Sequence, residues 1–96
     1  MSLYIALSNW TDQGIKNVKD SPRRLENARE VAKKNGCELK EFFMVMGAYD
    51  MVWILEAPTD AAAAKVSLAI STLGNVRNTT LKAFPEAEYR SLIASV

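Results

Sequence analysis

Apolar side chains occupy every second position near the start of the chain, a pattern that predicts a half-buried strand. Leu3, Ile5 and Leu7 share one side of this strand, which spans residues 4–8. Three later segments are rich in apolar or β-branched residues and have the length of ordinary strands. These predicted strands are residues 38–46, 51–57 and 75–83. A hairpin that starts at Gly47 joins the first two of them, because glycine tolerates the positive φ of a tight turn.

Apolar residues spaced three and four apart predict a long helix after the first strand. Ser21 suits its N-cap and Pro22 its first helical position, and Gly36 favours the left-handed stop at its end. The predicted apolar stripe is Leu25, Ala28 and Ala32.

A second long helix is predicted after the third strand, with Thr59 or Asp60 as its N-cap and Gly74 at its close. Two shorter helical segments complete the pattern. Thr11 is predicted to cap a helical turn before the first long helix, and Pro85 opens a helix at the C-terminus.

The predicted order is β-α-β-β-α-β followed by a terminal helix, which is typical of an α+β ferredoxin-like domain. Right-handed crossovers place both long helices on the same face of a four-stranded sheet. We expect residues 1–96 to form a single domain, since the chain has no linker or low-complexity tract.

Both sides of the second and third predicted strands are apolar, which predicts self-association. In residues 42–46 and 51–55 each alternating set of side chains is apolar, so the helices cover only one set. The other set includes Phe or Met residues and either Trp53 or Ile54, and exposing each costs about 1.5–3 kcal/mol. A second copy of the sheet is the simplest cover, and two such sheets face to face form a dimeric α+β barrel. A monomer, cover by the C-terminal helix and a different partner protein remain alternatives.

The composition argues against histidine-based catalysis, disulfides and several kinds of metal site. The chain has no histidine, the commonest general base and metal ligand, and one cysteine, Cys37. A single cysteine allows neither an internal disulfide nor a thiolate metal cluster. We therefore predict no metal site and no cofactor, and we interpret Cys37 as a buried apolar residue.

The charge balance argues against nucleic acid as a partner. Twelve Lys and Arg residues against eleven Asp and Glu residues give a net charge of +1, whereas nucleic-acid-binding domains are usually strongly basic. No apolar run approaches the ~20 residues that span a bilayer, and the start of the chain lacks a secretion signal. We expect no membrane association and a cytoplasmic location.

Three short segments resemble the GYD-domain family. They are Asn-Trp-Thr-Asp-Gln-Gly at 9–14, Met-Gly-Ala-Tyr-Asp at 46–50, and Gly-Asn-Val-Arg followed by Thr-Thr-Leu within 74–81. Their order and spacing extend the resemblance over essentially the whole chain. The resemblance implies a family, but no activity comes with it.

Residues 47–81 are also similar to the ligand-sensing domain of Lrp/AsnC regulators. The shared features are a Gly-x-Tyr-Asp hairpin, an apolar strand, a helix and a variant of Gly-x-Val-x-x-Thr-x-Thr. This resemblance implies a dimeric α+β barrel that assembles further and binds amino acids at subunit interfaces. The chain has no room for the DNA-binding helix-turn-helix of those regulators, so transcriptional control by this chain alone is not expected.

The hairpin is the first candidate ligand site. Asp50 suits pairing with a ligand amine, and Tyr49 and the loop N–H groups suit donation to a carboxylate. The structural alternative is that Asp50 accepts N–H bonds inside its own loop while Tyr49 closes over the end of the sheet. Both roles are compatible.

Other polar residues extend this candidate site. Arg77 suits an anion, although a surface arginine or an ion pair with a neighbouring chain is the alternative. Trp10 is either a core residue or a stacking platform, and Asn78 is interpreted as polar lining of a cavity between two sheets. The complete predicted set is Asn9, Trp10, Gly47, Tyr49, Asp50, Arg77, Asn78 and Thr79.

Three functions follow as hypotheses. The first is a homo-oligomer that binds a small metabolite such as an amino acid at a subunit interface. The second is a cofactor-independent enzyme, similar to the monooxygenases or isomerases of the dimeric α+β barrel type, with Tyr49, Asp50, Arg77 and Asn78 in a pocket between sheet and helices. The third is a structural assembly partner that recognises another protein.

Overall fold

The computed structural model describes residues 1–96 and contains one antiparallel sheet in the spatial order β2-β3-β1-β4. The strands are β1 (Ser2–Trp10), β2 (Glu38–Met44), β3 (Met51–Ala57) and β4 (Val76–Ala83). The helices are α1 (Asp12–Lys16), α2 (Ser21–Lys34), α3 (Asp60–Ser71) and α4 (Glu86–Ala94), and a 3-10 turn at Val18–Asp20 joins α1 to α2. The order of elements confirms the predicted α+β ferredoxin-like fold.

Most predicted helix ends are confirmed. Thr11 caps α1 by accepting from the Gly14 N–H, and Thr59 caps α3 by accepting from the Ala62 N–H at 3.1 Å. Gly36 has φ of 71°, as a left-handed helix stop requires.

The start of α2 differs from the prediction. Ser21 is already helical, with φ −55° and ψ −43°, so the prediction of Ser21 as N-cap is wrong. The N-cap position is Asp20, whose side chain makes no capping bond. The 3-10 turn leads directly into α2 and takes the place of a capped helix start.

Strand β2 ends at Met44, two residues earlier than predicted. The Val45 N–H donates to the Asp50 carbonyl at 2.8 Å, and Gly47 has φ of 127°, so the connection to β3 is a six-residue loop. The pairing of β2 with β3 is also irregular between Leu39 and Glu41, where the register shifts.

Helices α2 and α3 cover one face of the sheet. The inward residues of β1 and β3 are Tyr4, Ala6, Ser8, Met51, Trp53, Leu55 and Ala57, and all of them are buried. Alanines and one valine of the helices meet this face, namely Ala28, Ala32, Ala63 and Val66. Trp53 therefore points into the core, and Ile54 points to the other face.

The opposite face of the sheet, termed the open face, is mostly apolar and uncovered, and by register Glu41 and Glu56 also lie on it. By register it contains Leu3, Ile5, Leu7, Phe43, Val52, Ile54, Thr79 and Leu81. Phe43 is 51% exposed and Leu81 is 46% exposed. Helix α4 leaves this face uncovered, because every residue of α4 is itself exposed. None of the helices has the length and hydropathy needed to cross a membrane.

Candidate functional site

The loop between β2 and β3 is fixed to the end of β1 by three hydrogen bonds. The Asp50 N–H donates to the Ser8 carbonyl at 2.9 Å, and the Asn9 amide donates to the Ala48 carbonyl at 3.0 Å. Asp50 Oδ2 accepts from the backbone N–H of Trp10 at 3.0 Å. The carboxylate thus binds an N–H of the neighbouring strand, whereas the structural alternative predicted an N–H of its own loop.

The segment after β1 is held against the turn that precedes β4. The Thr11 N–H donates to the Asn75 carbonyl at 3.0 Å, and the Thr11 hydroxyl donates to the Gly74 carbonyl at 2.6 Å. Gln13 donates to the Leu73 carbonyl at 3.1 Å. All three segments that resemble the GYD-domain family therefore meet at this end of the sheet.

Gly14 lies at the closest approach within this contact. A Cβ atom at Gly14 would stand 1.9 Å from the carbonyl oxygen of Asn75, well inside van der Waals contact. Only glycine fits between α1 and the start of β4, which gives the Asn-Trp-Thr-Asp-Gln-Gly segment a steric requirement at its last residue.

A cavity of about 70 Å³ lies between the sheet and helices α2 and α3 at the same end of the molecule. We term it the helix-side cavity. Most of its lining is apolar, and the apolar side chains are Leu25, Ala28, Leu39, Phe42, Met51, Ile70, Leu73 and Val76. Trp10 and Trp53 also line it, and Nε1 of Trp10 is buried without a hydrogen-bond acceptor in the chain.

A chain of hydrogen bonds crosses the core beside this cavity. Trp53 Nε1 donates to Ser8 Oγ at 2.8 Å, and Ser8 Oγ donates to Asn78 Oδ1. Asn78 Nδ2 donates to Ser71 Oγ at 3.2 Å. Asn78 therefore lies under α3 on the helix side of the sheet, and its predicted place in a cavity between two sheets is wrong. Asn78 pairs with Ser8 between β4 and β1, and paired residues of neighbouring strands point to the same face of the sheet. Because Ser8 faces the helices, Asn78 faces them as well.

The structure distributes the predicted site residues over three places. Asn9 pairs with Arg77 and Leu7 pairs with Thr79, so these polar side chains lie on or at the rim of the open face. Gly47, Tyr49 and Asp50 lie in the loop that binds the end of β1. Trp10 and Asn78 are on the helix side. The role of these residues as ligand contacts stays a prediction.

The helix-side cavity bears on the enzyme hypothesis. None of Tyr49, Asp50, Arg77 and Asn78 lines it. The set of polar groups expected for an enzyme of the dimeric α+β barrel type is therefore not assembled in this cavity, and that hypothesis loses its main structural support.

Two residues of this region were not predicted. Ser8 follows Tyr4 and Ala6 at the inward positions of β1, so alternation alone was a sufficient signal for its burial. Arg24 lies in a basic stretch that resembles a solvated helix face. Its guanidinium instead donates to the Gly14 carbonyl at 3.1 Å, and the residue forms part of the cavity lining.

A charged cluster occupies the opposite end of the sheet. The Tyr4 hydroxyl donates to the Asp60 carboxylate, and Lys82 Nζ lies 3.0 Å from Asp60 Oδ1. The Tyr4 hydrogen bond, and then that of Lys82, lower the pKa of Asp60. The hydrogen bond to Asp60 in turn raises the pKa of Tyr4 and that of Lys82. The cluster is an ion pair that orients the start of α3.

Cys37 is buried, as predicted, and burial raises the pKa of its thiol. A thiol with a raised pKa is a poor nucleophile at neutral pH. No three acidic or cysteine side chains converge in the structure to form a metal site.

Comparison with known sequences identifies relatives. A model of the family described as GYD domain matches residues 4–93. The "Glutamine synthetase and cystathionine beta-lyase binding protein" of Thermus thermophilus is 32% identical over 89 residues, covering 92% of this chain and 94% of that protein.

Solved structures share the fold at lower identity. The feast or famine regulatory protein of M. tuberculosis complexed with L-methionine superimposes with a TM-score of 0.68 at 19% identity, over 88% of this chain and 51% of that one. A crystal structure of a protein from Thermus thermophilus gives a TM-score of 0.57 at 22% identity, over 88% of this chain and 95% of that one. This chain thus spans about half the length of the regulator.

Proposed function

This chain belongs to the GYD domain family, and from that premise we propose that it functions as a homo-oligomer that binds a small molecule at a subunit interface. The observation that carries the proposal is the open face. A mostly apolar surface runs across all four strands, and Phe43 and Leu81 each keep about half of their area exposed.

A second copy of the chain is the occupant that suits this surface. Sheets packed face to face lie about 10 Å apart with their side chains interdigitated, which removes both apolar faces from water at once. The gain is about 25 cal/mol for each Å² of apolar area that is buried. The isologous contact of a twofold dimer uses the same surface on both copies.

The rim of the open face supplies polar groups for a ligand. Arg77 is exposed and makes no ion pair within the chain, and its pairing partner Asn9 is bonded to the loop that carries Tyr49. Asp50 Oδ2 is occupied by Trp10, while Oδ1 accepts no bond from the chain. A guanidinium for a carboxylate and a carboxylate oxygen for an ammonium group are the chemistry that recognises an amino acid. The regulator with the same fold that was crystallised with L-methionine supports this ligand class by analogy of fold.

A second candidate is the binding of an enzyme partner. The T. thermophilus relative, which matches over nearly the whole of both chains, is named for binding glutamine synthetase and cystathionine beta-lyase. Helix α4 offers a suitable surface, since Tyr89, Leu92 and Ile93 form an exposed apolar stripe.

Sedimentation of three proteins tests the assembly. We expect wild type to sediment as a multiple of 10.6 kDa and the double variant Phe43→Glu, Leu81→Glu to sediment as a folded monomer. Leu68→Glu is the matched control, because Leu68 is 65% exposed on α3, away from the open face, and should leave the assembly intact. A folded wild-type monomer at micromolar concentration contradicts the proposal.

Thermal denaturation with a panel of amino acids tests the ligand. We expect at least one to raise the melting temperature of wild type at millimolar concentration, and Arg77→Gln to abolish that rise. A flat response of wild type over the whole panel refutes amino acid binding at the interface. A stable complex of wild type with one of the enzymes, insensitive to amino acids, would favour the second candidate.

A further inference from the structure

We infer that two copies of this chain meet with their strands crossed at nearly a right angle, so that Arg77 of each copy forms an ion pair with the partner's Glu41. The inference rests on the proposed function, because it requires the open faces of two copies to meet. It goes further by naming the charged contacts that orient one copy on the other, and it places a carboxylate of the partner beside the proposed ligand site.

The charges of the open face lie toward two of its corners. Arg77 pairs with Asn9 near the C-terminal end of β1, and it lies in β4, which is one edge strand. Glu56 pairs with Leu3 near the N-terminal end of β1, and Glu41 lies in the same half of the face, in β2, which is the other edge strand. Positive and negative charge therefore occupy diagonally opposite parts of a mostly apolar surface.

The irregularity of β2 directs Glu41 onto this face. Strict alternation along a strand would place Leu39 and Glu41 on the same side of the sheet. Leu39 and Phe42 instead both line the helix-side cavity, because the register shift between Leu39 and Glu41 adds one residue, Lys40, to β2. A bulge of this kind redirects the side chains that follow it. Glu41 therefore points away from the helices, onto the surface that the proposed dimer covers.

Neither of the two charges is compensated within one chain. Arg77 and Glu41 are both exposed, and neither takes part in an ion pair. Strands about 4.8 Å apart with a rise of about 3.4 Å per residue place their Cα atoms about 20 Å apart, too far for direct contact. A charge that a second sheet covers without a counter-charge is costly, so the partner copy has to supply the opposite sign.

Aligned packing of the two sheets leaves these charges apart. Sheets stack with their strands either within about 30° of each other or nearly perpendicular. In the aligned arrangements a twofold axis runs nearly along or nearly across the strands. For a flat sheet with the spacings above, Arg77 then lies about 10 Å or more, measured in the plane of the sheet, from the partner's Glu41.

Perpendicular packing allows two arrangements, and the charges select one of them. A twofold axis through the two charged corners would set Arg77 over the partner's Arg77, with glutamates over glutamates. An axis through the two uncharged corners sets Arg77 within about 5 Å, in the plane, of the partner's Glu41. Extended arginine and glutamate side chains together bridge the separation of about 10 Å between stacked sheets. Both copies gain the same contact, as an isologous interface requires.

The contact is compatible with the proposed ligand. The guanidinium has five N–H donors, and a bidentate pair with one carboxylate uses two of them. The remaining donors of Arg77 stay free for a ligand carboxylate. Because both residues lie in edge strands, the pair is at the rim of the interface, where charge complementarity determines orientation more than affinity.

Sedimentation equilibrium of two charge-reversal variants and of their mixture tests the inference. Arg77→Glu and Glu41→Arg each oppose like charges at two symmetry-related contacts, so each should weaken the dimer about 100-fold, about tenfold for each contact. In a 1:1 mixture the mixed dimer has opposite charges at both contacts. The mixture should therefore associate within about threefold of the wild-type dissociation constant.

Glu30→Arg is the matched control for the mixture. It changes the net charge as much as Glu41→Arg does, but Glu30 is exposed on α2, away from the open face. Glu30→Arg alone should associate like wild type. Its mixed dimer with Arg77→Glu has only one favourable contact and should be about tenfold weaker than the mixed dimer of Arg77→Glu with Glu41→Arg.

The outcomes separate this inference from the proposed function. A dimer that Phe43→Glu, Leu81→Glu dissociates, but that both charge reversals leave intact, overturns the inference and leaves the proposed function standing. Two weakened variants whose mixture does not recover also overturn it, whereas a wild-type monomer overturns both proposals. If a charge reversal fails to fold, a double-mutant cycle with Arg77→Gln and Glu41→Gln decides, since coupled residues lose no more together than either loses alone.

Discussion

The indole nitrogen of Trp53 donates to the hydroxyl of Ser8 across 2.8 Å, in a part of the core where Ser8 is only 1% exposed. The hydroxyl donates onward to Asn78, so one serine links the central strand β1 to its neighbours on both sides. A buried polar network of this kind is stable because each member has a partner, and the loss of one member leaves the others unpaired.

Ser8→Ala should lower the free energy of unfolding by about 1–3 kcal/mol, because it leaves Trp53 Nε1 and Asn78 Oδ1 buried without partners. Urea denaturation measures the change. Ser91→Ala, at an exposed position of α4, is the control and should change stability by less than about 0.5 kcal/mol. Equal effects of the two substitutions would show that the network contributes nothing.

Gly14→Ala should destabilise the protein although alanine is the better helix former. Helix propensity favours alanine by about 1 kcal/mol, whereas forcing extra volume into a close contact costs about 1–3 kcal/mol, and here the obstructing atom is backbone. We expect a net loss of stability in thermal denaturation. Lys16→Ala in the same helix is exposed and should be nearly neutral. A Gly14→Ala protein as stable as wild type would mean that α1 moves freely away from Asn75.

Asp50→Ala should lower the free energy of unfolding by about 1.5 kcal/mol, which is the lower end of the range for a hydrogen bond to a charged group. The lower end applies because Asp50 is partly exposed, so that water replaces some of the lost contact. Asp50→Asn keeps an oxygen that accepts from the Trp10 N–H, and the free energy of unfolding should fall by about half as much. Hydrogen exchange at the Trp10 amide reports the bond directly. Glu30→Ala, an exposed acidic position without an ion pair, should leave that exchange rate unchanged.

The charged cluster should make stability depend on pH at both extremes. The pKa of Asp60 is lowered in the folded state, so its contribution is present above the pKa of an unfolded aspartate, near 4, and is lost as pH falls through the folded pKa. The stability difference between wild type and Asp60→Asn should therefore narrow below about pH 4.

The opposite sign applies to Tyr4 and Lys82. Their pKa values are raised on folding, so their contributions are present below about pH 10 and are lost as pH rises through the folded values. Tyr4→Phe removes the main cause of the Asp60 shift and should flatten the acid limb of the pH profile. An acid limb identical in wild type and Tyr4→Phe would contradict this assignment.

The order of elements is predictable because its signals are local. Thr11, Thr59 and Gly36 act on residues within one helical turn, and their roles are confirmed. The side of the sheet that meets the helices was not predictable, since Trp53 and Ile54 are both apolar and alternation alone does not choose between them. Packing against the small residues of α2 and α3 determines which face of the sheet is buried.

The candidate site is less predictable because its contacts join distant parts of the chain. The acceptor for the Trp10 N–H is Asp50, forty residues away, and the face on which Asn78 lies depends on the parity of β1. The helix-side cavity depends on volumes left between α2, α3 and the sheet. No pattern along the chain encodes such a gap, so the sequence alone predicts an ordinary surface arginine at Arg24.

The register shift between Leu39 and Glu41 lies in β2, which is an edge strand of the sheet. A β-bulge in an edge strand turns some of its free backbone N–H and C=O groups away from the direction in which another strand would pair. A strand of another copy therefore does not add to this edge readily. The irregularity protects only this edge of the sheet, since β4, the other edge strand, pairs with β1 in regular register. Growth into ribbons or fibrils through the β2 edge should accordingly be disfavoured.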